Sequence, residues 1–293
     1  MAWWVRVREI PCRSAVVKSG IPGIDFVLNP YTGCEHGCVY CYASFMMRFR
    51  PHAEPWGRFV DVKVNFPQIL RRECRKVRSG EIMLSSVTDP YQPAEAEYGL
   101  TRECLRILDA LQDSRSGSDM LPGAGVTEAP DVPLVSILTK SDLVARDVDV
   151  LSRMRSVQVG MTITTADDRV SRVFEPRAPY SSRRFRALET LAARGVYTWA
   201  FAAPLIPYYS DGAGSMARLF SRMRDAGVKR ILVDRMNMYP ACVSGVLRAC
   251  RGEDRAVRRL EWARKDPAGY EAELRTSIAE AQSGAGCTVE PVF

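Results

Sequence analysis

Cys34-Glu35-His36-Gly37-Cys38-Val39-Tyr40-Cys41 places three thiols at intervals of four and three residues on one short loop, with no fourth cysteine beside them. A protein-held [4Fe–4S] cluster is normally ligated by four thiolates. Three therefore leave one iron free to bind a small molecule. Gly33 and Gly37 suit a loop that bends tightly enough for Cys34, Cys38 and Cys41 to converge. Tyr40 and Tyr42, on either side of Cys41, can offer a flat face beside the open iron. A zinc site made of Cys34, His36, Cys38 and Cys41 is the competing reading, because zinc accepts three sulfurs and one nitrogen. Structural zinc sites usually draw their ligands as pairs from separated segments, whereas these four lie within eight residues. His36 is therefore read as supporting the loop or facing solvent.

The rest of the chain frames this loop. With 293 residues, 46% of them hydrophobic, it can bury one large core. No apolar run is long enough to span a bilayer and no secretory leader stands at Met1-Ala2-Trp3-Trp4, which predicts a cytoplasmic protein without membrane contact. Nine cysteines in that setting suggest metal chemistry in a reducing compartment. The net charge of +7 admits a polyanionic partner without demanding one. Arg183-Arg184-Phe185-Arg186 and the run from Arg255 to Arg259 read as solvated helix faces.

Short apolar runs rich in β-branched residues alternate with longer helical patterns, the rhythm of a parallel α/β sheet or barrel. Strands are predicted over Ile24–Leu28, Ile82–Ser86, Leu134–Leu138, Val157–Ile163, Val196–Ala202 and Arg230–Val233. Helices are predicted over Tyr42–Arg50, Pro67–Val77, Thr101–Leu111, Leu143–Met154, Ser182–Ala193, Met216–Ala226, Cys242–Ala249 and Asp254–Gln282. Gln112–Pro133, rich in Gly, Ser, Pro and Asp, reads as a surface insertion. The expected organisation is a barrel over residues 1–239 and a helical C-terminal extension over 240–293. In such architectures chemistry gathers beyond the carboxyl ends of the strands.

Cys-x3-Cys-x2-Cys with an aromatic residue before the third cysteine resembles the signature of the radical S-adenosylmethionine (radical SAM) enzymes. Further blocks are similar to the spore photoproduct lyase-like branch of that family: Asn29-Pro30-Tyr31-Thr32-Gly33-Cys34, Thr88-Asp89-Pro90-Tyr91-Gln92-Pro93, Thr139-Lys140-Ser141 and Glu175-Pro176-Arg177-Ala178-Pro179. The resemblance runs from about Gly23 to Asp211. It implies a partial, TIM-like (β/α)6 barrel with the cysteine loop after the first strand. It also implies a [4Fe–4S] cluster held by Cys34, Cys38 and Cys41, with S-adenosylmethionine chelating the open iron. An external low-potential donor would supply the electron that yields a 5′-deoxyadenosyl radical, for which potentials towards about −700 mV mark the low end of the range.

Carried over residue by residue, the resemblance places Thr88 and Asp89 near the methionine ammonium and Lys140 near its carboxylate. Thr162 or Thr164 would approach the ribose, and Tyr40 and Tyr42 the adenine edge. The family's adenine-binding strand motif survives only as Ile206, since Pro204 and Tyr208 stand where it has glycines. The implied activity is that of a lyase or transferase on an unidentified substrate, with a nucleic-acid base among the candidates because Tyr208 and Tyr209 can stack on a ring. A non-catalytic iron–sulfur or zinc-binding module is the alternative. Ser85 and Ser86 occupy the neighbourhood where the photoproduct lyase uses a cysteine as hydrogen donor, which argues against thymine-dimer repair. Cys74 and Cys104 read as core thiols, and the long, irregular spacing of Cys242, Cys250 and Cys287 argues for structural roles rather than a second cluster.

Overall fold

The computed structural model describes residues 4–49, 51–115, 132–284 and 286–293. Its strands in chain order are β1 (Arg6–Ile10), β2 (Val16–Lys18), β3 (Phe26–Leu28), β4 (Tyr31–Thr32), β5 (Phe59–Lys63), β6 (Glu81–Leu84), β7 (Leu134–Thr139), β8 (Val157–Thr162), β9 (Tyr197–Leu205), β10 (Arg230–Arg235) and β11 (Thr288–Pro291). Eight of them form one sheet in the order β11-β10-β9-β8-β7-β6-β3-β2. All its pairings are parallel except β2 with β3. The six predicted strands are β3 and β6 to β10, the (β/α)6 unit of a partial barrel that is open at β2 and β11.

Parallel strands covered by helices on a face are buried almost continuously, and the sequence shows it. Val135, Ile137, Val159, Met161, Ala200, Ala202, Ile231 and Val233 are all fully buried in the central strands. Helices that cover them include α1 (Phe66–Glu73), α3 (Leu100–Arg115), α4 (Val148–Leu151), α6 (Ser181–Ala192) and α7 (Ala213–Asp225), while α2 (Pro93–Tyr98) packs on β4 and β5 and α5 (Asp168–Phe174) joins an apolar cluster with Tyr40 and Ile206. Leu188 and Leu191 of α6, and Met216, Leu219, Phe220 and Met223 of α7, join the same core as the strands. Among the described residues no helix is long and apolar enough to cross a membrane.

Several elements depart from expectation for physical reasons. The predicted helix over Leu143–Met154 is a 3₁₀ turn, Asp142–Asp147, followed by the single turn α4. Tyr42–Arg50 is likewise a 3₁₀ helix over Tyr42–Arg48. The long helix over Asp254–Gln282 divides into α9 (Asp254–Lys265) and α10 (Pro267–Gln282), with α8 (Pro240–Ala249) before them. Pro267 lacks the N–H that would continue α9 and suits a first helical position, while Asp266 accepts a hydrogen bond from the Gly269 N–H at 3.0 Å. The C-terminal segment is not wholly helical: β11 pairs in parallel with β10 and widens the sheet. Of the predicted insertion, Gln112 to Arg115 continue α3, and Gln112 is buried with its amide on the carbonyls of Pro133 and Ser156. Residues 116–131 lie outside the described residues.

A second sheet, β1-β5-β4, was not expected. It pairs β1 with β5 in parallel and β5 with β4 antiparallel. Because β4 runs directly into Gly33 and Cys34, this small sheet anchors the entry to the cysteine loop.

Candidate active site

The loop after β4 begins with Gly33 at φ +85°. A side chain there would suffer twice, since the left-handed backbone disfavours L residues and an added Cβ would stand 2.3 Å from the Phe59 carbonyl oxygen. From this turn the three cysteines enter one cleft, also lined by Tyr40, Tyr42, Thr88, Asp89, Lys140 and Thr162. Nine of the eleven residues singled out from the sequence thus meet in one place. Thr164 and Ile206 do not line it: Thr164 is fully buried, and Ile206 sits in an apolar cluster with Tyr40, Phe174 and Met236.

Burial pushes the Cys34 thiol well up, with Asp89 and the other two thiols adding to the shift. It also raises Cys38 to about 12, although the Lys140 ammonium opposes the change. Cys41 is raised by burial as well, against the Trp56 hydrogen bond. A metal bound by these three thiols would have to displace their protons, since it is the thiolate that ligates. His36 Nε2 and Ser85 Oγ line the same cleft, and both are buried without a protein hydrogen-bond partner. Ser85 also holds φ +66°, a conformation rare for a residue with a side chain and typical of sites whose surroundings over-determine the backbone. The donor set and the orphaned polar atoms therefore fit a bound metal group.

A single zinc ion fits less well. Among the described residues no three His, Cys, Asp or Glu side chains converge closely enough to hold one ion. His36 instead turns Nδ1 towards Asp89 Oδ2 at 3.4 Å.

The blocks singled out in the sequence have a second task, holding the cysteine loop. Thr88 Oγ1 donates to the Gly33 carbonyl. Gln92, fully buried, donates to that same carbonyl at 3.3 Å and accepts from the Glu35 N–H at 3.0 Å. Glu35 reciprocates by accepting from the Ala94 N–H in the first turn of α2 at 2.7 Å. Asp89 spends both oxygens inside the protein. Oδ1 accepts from Thr139 Oγ1 at 2.6 Å and the Tyr91 N–H at 2.9 Å; Oδ2 accepts from the Lys140 N–H at 2.8 Å. Burial alone would raise this carboxyl, but His36, Thr139 and the Lys140 amide outweigh it and hold it at about 2. Asp89 thereby ties the β7 end, with Lys140, to the loop.

The other side of the loop is fastened by α5 and α8. The Val39 N–H donates to the Phe174 carbonyl at 2.9 Å, and the Tyr40 hydroxyl donates to Glu175. Glu175 is fully buried beside Arg184, whose Nη2 donates to Oε2 at 2.5 Å. Lys140 Nζ stands 5.7 Å above the Tyr40 ring, a cation–π distance. Tyr42 donates to the Ser86 carbonyl at 3.0 Å. At Gly245 of α8, an added Cβ would lie 1.9 Å from the Val39 carbonyl oxygen. Gly245→Ala is expected to push α8 off the loop, costing stability by roughly 1–3 kcal/mol, the usual range for overpacking. Chemical denaturation measures that cost, and iron retained per chain after reconstitution reports the displaced loop. An alanine variant with unchanged stability and iron would show that α8 does not brace the loop.

Three features escaped sequence reasoning. Trp56, on the segment before β5, donates its indole N–H to Cys41 Sγ at 3.3 Å. The buried pair between Glu175, singled out only as part of a motif block, and Arg184, read as part of a solvated arginine run, is the second. Asp234, at the end of β10, lines the cleft with a carboxyl raised by burial. Of these, only the position just past a predicted strand marked Asp234; Trp56 carries no spacing signal.

A parallel α/β sheet with a cysteine-lined cleft beyond the carboxyl ends of its strands has the arrangement in which such folds gather their chemistry. The chain belongs to the Radical SAM superfamily, whose profile matches residues 28–220. An uncharacterised protein of Methanocaldococcus jannaschii is 34% identical over 207 residues, 71% of this chain and 70% of that one. An uncharacterised protein of Mycobacterium tuberculosis is 28% identical over 242 residues, which are 78% of this chain but 64% of that protein. Among solved structures, spore photoproduct lyase complexed with dinucleoside spore photoproduct superimposes with a TM-score of 0.64 over 98% of this chain and 82% of that one. At 15% identity that likeness is one of fold. Membership supports SAM-dependent radical chemistry and implies a [4Fe–4S] cluster together with S-adenosylmethionine.

Proposed function

We propose that the protein is a radical SAM enzyme in which Cys34, Cys38 and Cys41 hold a [4Fe–4S] cluster and the remaining cleft receives S-adenosylmethionine. The observation that carries this reading is the convergence of three thiols, that of Cys34 buried and those of Cys38 and Cys41 partly buried, with Lys140 in one cleft, within the segment that matches the superfamily. A cluster held by Cys34, Cys38 and Cys41 would supply the low-potential electron, taken from an external donor, that reductive cleavage of the sulfonium to a 5′-deoxyadenosyl radical requires.

The chain's own residues bind and orient. Lys140 offers its ammonium to the methionine carboxylate from its seat over Tyr40. Asp89 contributes negative charge at the ammonium end, while its oxygens fix Thr139 and Lys140. Thr162, which lines the cleft at the end of β8, would approach the ribose, the buried Thr164 being the alternative, and Tyr40 and Tyr42 would approach the adenine edge. Ile206 supports Tyr40 through their shared apolar cluster. For the substrate, a nucleic-acid base is the first class to test, given the net charge of +7 and Tyr208, 43% exposed beyond β9. Tyr209 is less available, since its ring packs edge-on against Phe174 with centroids 4.8 Å apart.

Anaerobic reconstitution with iron and sulfide, followed by low-temperature EPR of the reduced protein with and without SAM, tests the proposal. The expected result is a [4Fe–4S]+ signal that changes on adding SAM, accompanied by 5′-deoxyadenosine on chromatography. Zinc in place of iron, or a cluster indifferent to SAM, would leave a metal-stabilised binding protein instead.

A further inference from the structure

Trp56 is the one residue outside the cysteine loop whose side chain donates a hydrogen bond to a cysteine of that loop among the described contacts, Nε1 to Cys41 Sγ at 3.3 Å. It lines the same cleft. The ring is held from behind. It meets Phe59 edge-on, with centroids 5.9 Å apart and planes at 86°, and Phe59 stacks on His52 at 3.6 Å. His52 in turn sits 3.1 Å from Asp61 of β5. The neighbouring Gly57 packs so closely on the loop that an added Cβ would lie 3.0 Å from the Gly37 Cα. The small sheet β1-β5-β4 therefore aims the indole N–H at Cys41 through a chain of packed rings, which makes a chance contact of a surface tryptophan a poor account of the geometry.

We infer that Trp56 is a positioning residue that sets the reduction potential of the cluster through the Cys41 sulfur. The inference rests on the proposal that Cys34, Cys38 and Cys41 hold a [4Fe–4S] cluster. A donor pointed at a ligating sulfur stabilises the more negative, reduced state more than the oxidised one, so it raises the potential. The bond would also hold the Cys41 sulfur in one orientation for ligation. Such a bond would make a cluster held by Cys41 easier for an external donor to reduce.

The test is Trp56→Phe, which keeps the aromatic packing and removes the N–H. Redox titration followed by EPR should give a more negative midpoint, about a tenfold lower reduced-to-oxidised ratio at the same applied potential, or about 59 mV for one electron. Iron and sulfide per chain should match the parent protein. ENDOR of the reduced parent protein labelled with 15N-tryptophan should show an indole nitrogen coupled to the cluster, and that coupling should vanish in the variant. A fully loaded variant with an unchanged midpoint overturns the role of Trp56. So does labelled parent protein without the coupling, a measurement that stands even if the variant loses its iron. A parent protein that assembles no iron–sulfur cluster overturns the inference and the reading beneath it together, and iron content separates that case from the others.

Discussion

Cys38→Ser is expected to leave a folded chain with almost no iron after reconstitution and no 5′-deoxyadenosine above background. Cys38 is held between the Val39–Phe174 backbone bond and the field of Lys140, so its sulfur has little room to be replaced by a rearranged neighbour. Loss of a mere hydrogen-bonding partner of a metal ligand typically costs about 10–100-fold in affinity. Loss of the ligand itself should exceed that. Cys34→Ser and Cys41→Ser should behave alike, whereas Cys74→Ser and Cys104→Ser should retain iron, since those thiols sit in the hydrophobic core between α1 and α3. Lys140→Ala provides the contrast within the cleft. A charge-assisted hydrogen bond is worth about 1.5–3 kcal/mol, so SAM affinity should fall by roughly 10–150-fold while iron content stays unchanged. Iron analysis and equilibrium SAM binding distinguish the two outcomes. A Cys38 variant that loads iron normally would remove the basis for the cluster, and a Lys140 variant with full SAM affinity would move the carboxylate site elsewhere.

The legibility of this chain in its sequence follows from what is local. The strands from β6 to β10 announced themselves because a strand buried on both faces is apolar along most of its length, as in Leu134–Thr139 and Val157–Thr162. The small sheet was hidden because nothing local specifies it. β1 carries Arg6, Arg8 and Glu9 on a mostly exposed ribbon, β4 is two residues long, and the partner β5 lies about fifty residues further on. Motif blocks were legible as positions near the site, but their roles were only half legible. Thr88 and Gln92 clamp the Gly33 carbonyl, and Asp89 anchors the Lys140 backbone, functions that depend on a loop which no single block encodes. The same limit explains Arg184. In a run with Arg183 and Arg186 it reads as one more solvated cation, yet the helix turns this one residue inward to a carboxylate nine positions earlier.

That inward turn leads to the largest expected effect on stability. Arg184 and Glu175 are both fully buried, and the guanidinium also donates to the carbonyls of Thr162 at 3.0 Å and Pro179 at 2.9 Å. Arg184→Leu would strand a buried carboxylate and two carbonyls, at a cost of about 3–5 kcal/mol. Set against a typical total of about 5–15 kcal/mol, such a loss leaves a marginal fold. In the parent protein burial would raise the Glu175 carboxyl, but Arg184, with help from Lys140 and Tyr40, holds it below its ordinary value. A depressed carboxyl contributes stability that is present above its unfolded-state value and lost as pH falls through its folded one. Without Arg184 the sign reverses, because burial then dominates and the protonated acid is the tolerated form. The deficit of Arg184→Leu should therefore shrink as pH is lowered towards and below the ordinary carboxylate range, and adding Glu175→Gln should recover part of it at neutral pH. Denaturation of the three proteins across pH measures both effects. A constant deficit, or a double variant no more stable than the single one, would mean that lost packing rather than the stranded charge governs this joint. The consequence reaches the cleft, since Glu175 also receives the Tyr40 hydroxyl and Tyr40 separates Cys38 from Cys41 only by Val39 and itself. A fold weakened at Arg184 should accordingly lose its grip on the cysteine loop before it unfolds, with iron released at lower denaturant than the helical signal is lost.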